Sequence, residues 1–391
     1  MYRKRFRISF HVPSERVSAV AKKATILDIA QLAGVSPATV SRVINRRPDV
    51  DRQTRERVLR VIAEKGYVPS ITAAGLAGGR NRLIGMLLPL FTWPILADLV
   101  RGISEILKQT SYELVLYTYD DEDLTRDRRA IINHLLATQL TAGLLAVFPG
   151  QLADQLTELY QQGVPVVTID DQREHVTPWV RADNVTGAHE AVRHLIRLGH
   201  RRIAHIRGPQ EYLASHDRHR GYLLALREAG ITPDDDLALE GDFLSPSGYA
   251  CAQRLFDLPP EKRPSAIFAS ADQMAYGVLR AAEERNLSVP RDVALVGFDD
   301  DAPSAHVRPA LTTVHQPSFE MGQEGIRLLL ALLAESEGSD ASTDAPLTRS
   351  ARVSSLRVVL PTRLVVRASC GAIEQNATPA EVSRTSSPSA L

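Results

Sequence analysis

Arg42 stands in the run Ser36-Pro37-Ala38-Thr39-Val40-Ser41-Arg42, and a second arginine, Arg218, stands in Asp217-Arg218-His219-Arg220 far downstream. The two could do different chemistry. A guanidinium beside small side chains at the start of an exposed helix can bridge O6 and N7 of a guanine, while Ala38 permits close approach or touches a thymine methyl. Ser36, Thr39, Asn45 and Thr54 carry polar side chains suited to phosphate oxygens, contacts that position without reading sequence. Arg218, by contrast, opens a helix after an apolar strand candidate, and Asp170, Asp272 and Asp299 each stand at the end of another such strand. Carboxylates and a fixed guanidinium fork suit a hydroxyl-rich small molecule, with aromatic faces for its apolar surfaces. Phe91 and Trp93 after the first body strand, Phe243 after Leu237-Ala238-Leu239-Glu240-Gly241-Asp242, and Gln316 complete the candidate set.

Elements of two kinds must position these groups. From Thr25 to Lys65 the period is helical and the loops are short. Thr25 and Asp28 are spaced as a capping box, Gly34 ends the first helix, Ser36 caps the second and Pro37 takes its first position. Ala30, Val35, Val40 and Val43 can then meet in a small core, turning Pro37, Ala38, Ser41 and Arg42 outwards; Val58, Leu59 and Ile62 offer a third buried face before Gly66. Two helices joined by Gly34-Val35-Ser36 form a helix-turn-helix, the unit that lays its second helix in the major groove. After about Arg82 the pattern becomes strand then helix. Apolar strands are expected within 83–90, 112–120, 142–149, 165–171, 202–208, 265–272 and 293–300, with helical segments between most of them. So many units predict two doubly wound parallel sheets rather than one.

Composition agrees with this division. The 391 residues have a formal net charge of zero, yet residues 1–82 hold 17 Lys/Arg against 6 Asp/Glu, a net of +11, which leaves −11 on the rest. A basic head on an acidic body is expected where one end meets a polyanion. Two cysteines, Cys251 and Cys370, exclude a disulfide scaffold or a cysteine-rich metal site. The basic N-terminus lacks the unbroken apolar stretch of an export signal, and no run approaches the ~20 residues of a membrane helix, so a cytoplasmic location is expected. No phosphate-binding glycine loop, GxSxG or HExxH motif occurs, which argues against an α/β enzyme; the histidines, among them His200, His205, His216 and His219, make no metal set, and neither catalytic residues nor a cofactor are expected. A solute-binding protein sharing the same body is the other alternative, but it would carry an export signal and no helix-turn-helix.

The run Ala24 to Ser70 resembles, without gaps, the DNA-binding region of the lac repressor (LacI/GalR) family of bacterial transcriptional regulators, and similarity continues to about Cys370. The resemblance implies an all-α head and hinge, then a periplasmic-binding-protein-like α/β body of two doubly wound lobes with a ligand between them. It places Thr25 among the DNA-contact residues, Tyr67 at a phosphate, Ala73 beside the minor groove and Leu76 as the wedge that unstacks a base step. It also makes Arg218 the ligand-binding arginine. Ser70 stands where asparagine is usual and Ala74 where many members have arginine, while Gly75, Gly78 and Gly79 weaken the hinge helix by roughly 1 kcal/mol each. The hinge is therefore expected to order only on DNA. Ala271 replaces a common asparagine; Asp183 reads as a helix cap, and Asp272 fits either a cap or a ligand contact.

These readings predict a basic extension over 1–23, expected to be a disordered leader, the product of an over-early start codon, or an extra phosphate-contacting arm. A helix-turn-helix domain follows over 24–68, and a hinge over 69–82. The effector-binding and dimerisation domain spans 83–370, with one lobe at 83–182 plus 317–335 and the other at 183–316 plus 353–370. Residues 335–352 read as a polar loop and 371–391 as a disordered tail, which has no leucine heptads to build a tetramer. The function they imply is a repressor of pseudo-palindromic operator DNA, acting as a homodimer and controlled by a small molecule, a carbohydrate by its binding chemistry.

Overall fold

The computed structural model describes residues 24–44, 47–67, 81–89, 93–119, 132, 140–149, 152–170, 176–338 and 356–372. The chain divides into two compact units between Arg80 and Asn81.

The first unit packs α1 (Ile26–Ala33), α2 (Pro37–Ile44) and α3 (Arg52–Lys65). Thr25 is extended, its hydroxyl accepts from the Asp28 amide at 3.3 Å and the Asp28 carboxylate accepts from the Thr25 amide at 2.8 Å, closing the expected capping box. Gly34 ends α1 at φ 65°, a conformation a β-carbon disfavours, so the chain turns at once into α2. Asp51 caps α3 by accepting from the Thr54 amide at 2.9 Å. Ile29, Ala30, Ala33, Val40, Val43 and Val58 form the core. Leu59, expected to share the buried face of α3, is instead 49% exposed. The helix turns ~100° per residue, so the face that buries Val58 and half-buries Ile62, four residues on, carries Leu59 away from the core. A core this small leaves each cap, worth about 1 kcal/mol, a large share of the unit's stability.

The second unit contains β1 (Leu83–Pro89), α4 (Ile95–Leu107), β2 (Glu113–Tyr119), β3 (Gly143–Val147), α5 (Ala153–Gln161), β4 (Val166–Ile169) and β5 (Trp179–Ala182). It continues with α6 (Asn184–Arg197), β6 (Ile203–Arg207), α7 (Leu213–Glu228), β7 (Ala238–Glu240), α8 (Ser245–Phe256), β8 (Ala266–Ala269), α9 (Asp272–Glu284) and β9 (Ala294–Asp299). It ends with β10 (Thr312–His315), α10 (Ser318–Gly338), β11 (Arg357–Leu360) and β12 (Arg363–Val365). The strands form two six-stranded sheets, ordered β11-β5-β4-β3-β1-β2 and β12-β10-β9-β8-β6-β7. Among the described residues all pairings are parallel except β10 with β12. β3, β4 and β8 are buried along their whole length, which is why they read as continuous apolar runs. Each sheet reverses its order about one strand, β1 in the first and β6 in the second, and a ligand crevice opens outside the carboxyl ends at such a point.

Two expectations are corrected. Residues 353–370 do not all join the second lobe: β11 pairs with β5 in the first sheet, and only β12 enters the second. The edge of β5 would otherwise leave backbone groups unpaired; the Trp179 amide donates to Leu356 O at 3.2 Å and the Asp183 amide to Leu360 O at 2.9 Å. Nor does the polar loop begin at 335, since α10 continues through Gly338. That helix lies on the first sheet against α4, where Gly102 sits on the backbone of Phe319 and Gly322 on that of Leu99, a contact any β-carbon would obstruct. The expected disorder of 1–23, the hinge at 69–80 and the tail beyond 372 lie outside the described residues. Among the described residues no helix is long and apolar enough to cross a membrane.

Candidate functional site

The carboxyl ends of both sheets line one cavity. From the first sheet come Trp93, Pro94 and Ile95 at the start of α4, Phe148 after β3 and Asp170 after β4; from the second come Arg218, Phe243, Ala271, Asp299 and Gln316 with Tyr212, Ala214, Gln273 and Asp301. Phe148, Asp170, Phe243 and Asp299 hold positive φ, at 48°, 57°, 67° and 116°. Each such residue costs of order 1 kcal/mol, and their collection around one cavity marks a place where strand-end geometry is held against local preference.

Arg218 is the hub. It is 4% exposed; its Nε donates to Asn184 Oδ1 at 2.8 Å and its terminal nitrogens to Gln316 Oε1 at 2.7 Å, Asp299 Oδ1 at 3.4 Å and the Ser270 carbonyl. Its guanidinium lies over the Phe298 ring, 3.7 Å from the centroid. These partners fix the fork in one plane before anything binds. Asn184 extends the network, its amide donating to Asp170 Oδ1 at 3.5 Å, while Asp170 Oδ2 is buried without a hydrogen-bond partner among the described residues. Burial pushes the Asp170 carboxyl up to about 6, an effect that Arg218 partly offsets. Burial also raises Asp299 well above the ordinary carboxylate range, and raises Asp301.

Four aromatic rings form the apolar wall. Trp93 meets Phe148, Tyr212 and Phe243 edge-on, with centroids 5.1, 5.3 and 6.0 Å apart. Trp93 and Phe148 belong to the first lobe and Tyr212 and Phe243 to the second, so the wall spans both.

Of the residues expected here from the sequence, Trp93, Asp170, Arg218, Phe243, Asp299 and Gln316 line the cavity. Phe91 lies outside the described residues. Asp272 does not line the cavity: it is fully buried, and its carboxylate accepts from the Asp301 amide at 2.9 Å, Ser304 Oγ at 2.6 Å and Thr313 Oγ1 at 2.5 Å. Three internal donors leave it as a tie between α9, β10 and the loop after β9. Asp183 caps α6, accepting from the Thr186 amide at 3.0 Å. Sequence reasoning passed over Phe148, Tyr212, Asn184 and Asp301. Phe148 directly follows a strand, the same signal that picked out Asp170; Asn184 and Tyr212 had no local signal. His205 and His219, which the sequence offered as no metal set, meet through Nδ1 atoms 3.1 Å apart, and burial holds His205 well below its ordinary range.

In the helical unit, Val40 and Val43 face the core while Pro37, Ala38 and Arg42 are exposed on the other side of α2. Ser36 Oγ accepts from the Thr39 amide at 3.1 Å and bonds to the Thr39 hydroxyl at 2.9 Å. Thr25 is committed to its capping box, Thr54 lies in the first turn of α3 and half-buried Tyr67 packs on the core. Arg42 approaches Asp49 at 3.8 Å, both exposed. Arg55 donates to Arg47 O at 2.5 Å and Val50 O at 3.4 Å, bracing the turn before α3. Asn45, Ala73 and Leu76 lie outside the described residues.

Comparison with known proteins gives matches along most of the chain. The pattern described as bacterial regulatory proteins, lacI family, matches residues 25–70, and that of the periplasmic binding protein-like domain matches residues 192–370. Catabolite control protein A of Priestia megaterium is 36% identical over 308 residues, 78% of this chain and 91% of its own. The HTH-type transcriptional regulator CelR of Thermobifida fusca is 35% identical over 358 residues, 89% of this chain and 98% of its own. Among solved structures, a transcriptional regulator CelR–cellobiose complex is 34% identical with a TM-score of 0.63, over 88% of this chain and 99% of that one. The lac repressor dimer bound to operator and the anti-inducer ONPF is 29% identical with a TM-score of 0.74, over 89% of this chain and 99% of that one.

Proposed function

The chain belongs to the lacI family of bacterial regulatory proteins, and from that premise we propose that it is a repressor whose hold on operator DNA is set by a small carbohydrate bound between its two lobes. Arg42, Ala38, Pro37 and Ser41 read base edges in the major groove; Thr25, Ser36, Thr39, Asn45, Thr54 and Tyr67 hold phosphates; Ala73 and Leu76 act in the minor groove. Arg218, Asp299, Asp170 and Gln316 bind effector hydroxyls, and Trp93 and Phe243, with Phe91, cover its apolar faces. The relative complexed with cellobiose supports a carbohydrate, and the lac repressor dimer on its operator supports a homodimer on a two-fold site.

One observation carries this reading: in one chain with an exposed, arginine-bearing α2, the carboxyl ends of both sheets meet around a pre-ordered Arg218. A ligand seated there contacts both lobes, so it has different affinities for different lobe arrangements, which is what coupling to DNA requires. The experiment is selection of duplexes from a random pool by the full chain, followed by anisotropy titration of the selected duplex with a carbohydrate panel. A pseudo-palindromic site whose affinity one sugar changes is expected. Enrichment of no sequence, or a site indifferent to every sugar, would overturn the reading.

A further inference from the structure

Charge balance in the cavity narrows what can enter it. Among the described lining residues one guanidinium, Arg218, faces three carboxylates, Asp170, Asp299 and Asp301. Arg218 has little left to offer an anion, because its bonds to Asn184, Ser270, Asp299 and Gln316 use about four of its five N–H groups. Gln273, the other amide donor on this wall besides Gln316, already donates to Asp301 at 3.2 Å. The unmet demand is for donors: Oδ2 of Asp170, on a residue only 4% exposed, accepts from no group among the described residues. A buried carboxylate oxygen without a partner costs more than most single contacts return, and a hydroxyl seated against it removes that cost. A phosphate or carboxylate in the same place would bring acceptors to acceptors and like charge to like charge.

We propose, on the reading of this cleft as the effector site, that it is a charge filter: it takes an uncharged polyhydroxylated ligand through a hydroxyl donated to Asp170 Oδ2 and rejects the phosphorylated or carboxylated counterpart. Asp170 is the discriminating residue. The burial that raises its pKa to about 6 leaves it mostly ionised at pH 7.5, where its demand for a donor is greatest.

Matched pairs test this on the full chain: glucose, galactose and ribose against their terminal phosphates, and glucose and galactose against their uronates. Binding is followed by calorimetry and by the fluorescence of Trp93, one of two tryptophans in the chain and the one lining the cavity. At least one neutral sugar is expected to bind, its anionic counterpart at least about tenfold more weakly, and Asp170→Asn to shrink that gap. Asp301→Asn, at the less buried edge, supplies the same comparison if Asp170→Asn does not fold. Anions binding as well as their neutral partners, no neutral sugar binding, or an unchanged gap in the folded variants would each overturn the filter. Anion binding that Arg218→Ala removes would overturn the filter alone and keep the cleft as the effector site. A sugar that alters operator binding with an affinity indifferent to both Arg218→Ala and Asp170→Asn would overturn the effector-site reading as well.

Discussion

Asn184 accepts from Nε of Arg218 at 2.8 Å and turns its amide to Asp170 at 3.5 Å, so one 2%-exposed side chain sets the position of the guanidinium and of the carboxylate from the opposite lobe. Asn184 is absent from the lining of the cavity, which makes it a positioning residue rather than a contact. Asn184→Ala should therefore weaken sugar binding by about tenfold while leaving the rank order of sugars intact, since the binding groups remain but their orientation loosens. Calorimetry with the preferred sugar checks this, and an inverted rank order would count against a purely positioning role.

The raised pKa of Asp170 has a stability consequence whose sign is definite. An acid near 3.8 when unfolded and about 6 when folded holds its proton more tightly in the native state. Native protein then binds more protons than unfolded protein between these values, so stability falls as pH rises through that window and stays low above it. Asp170→Asn should abolish this loss. Its melting temperature should exceed that of the parent at pH 8, by the equivalent of roughly 2–3 kcal/mol as an upper bound, and differ little at pH 4. Sugar affinity of the parent should move oppositely, rising as pH increases through about 6, because the ionised carboxylate is the better acceptor. Melting curves and calorimetry at the two pH values test both directions.

Asp272 shows where sequence reasoning met its limit. It follows the apolar strand β8, as Asp170 follows β4 and Asp299 closes β9, and a place at a strand end is what selected all three. Which way a strand-end side chain turns depends on what the next layers supply. Here Ser304, Thr313 and the Asp301 amide supply three donors from segments 29 to 41 residues away, which no local pattern encodes. The same holds for β11, whose place in the first sheet follows from the unpaired edge of β5 and not from its own residues. By contrast, the caps at Thr25, Ser36 and Gly34 and the continuous apolar runs of β3, β4 and β8 are decided within a few residues, and they were legible. Phe148 was legible too, by the rule that picked out Asp170.

Asp272→Asn should consequently lower body stability and spare sugar selection. Its carboxylate accepts three bonds, and an amide in its place obliges the Thr313 hydroxyl to turn from donor to acceptor, at a cost of about 1 kcal/mol. Burial raises the Asp272 carboxyl to about 7, so the uncharged isostere recovers part of that cost at high pH and less of it at low pH. A denaturant melt of the variant against the parent at pH 6 and pH 8 measures the loss. A fold as stable as the parent at both would show the three bonds contribute nothing net.

On the DNA side the sharpest test falls on Arg42. It is exposed beside Pro37 and Ala38, whose side chains offer no strong hydrogen-bond donor, so base discrimination by α2 rests mainly on its fork. Arg42→Ala should cost about 1–3 kcal/mol at the selected operator, relax preference at one base pair per half-site, and leave nonspecific affinity changed only by the loss of one charge. Asp49, 3.8 Å from Nε of Arg42, competes for that fork in the free protein. Asp49→Asn should raise affinity for specific and random duplexes alike, because an exposed ion pair is worth little and the net change is one negative charge removed near phosphates. Anisotropy titrations of operator and scrambled duplexes at two salt concentrations separate the cases. An Arg42→Ala protein that still chooses its operator would move base reading to another residue of α2.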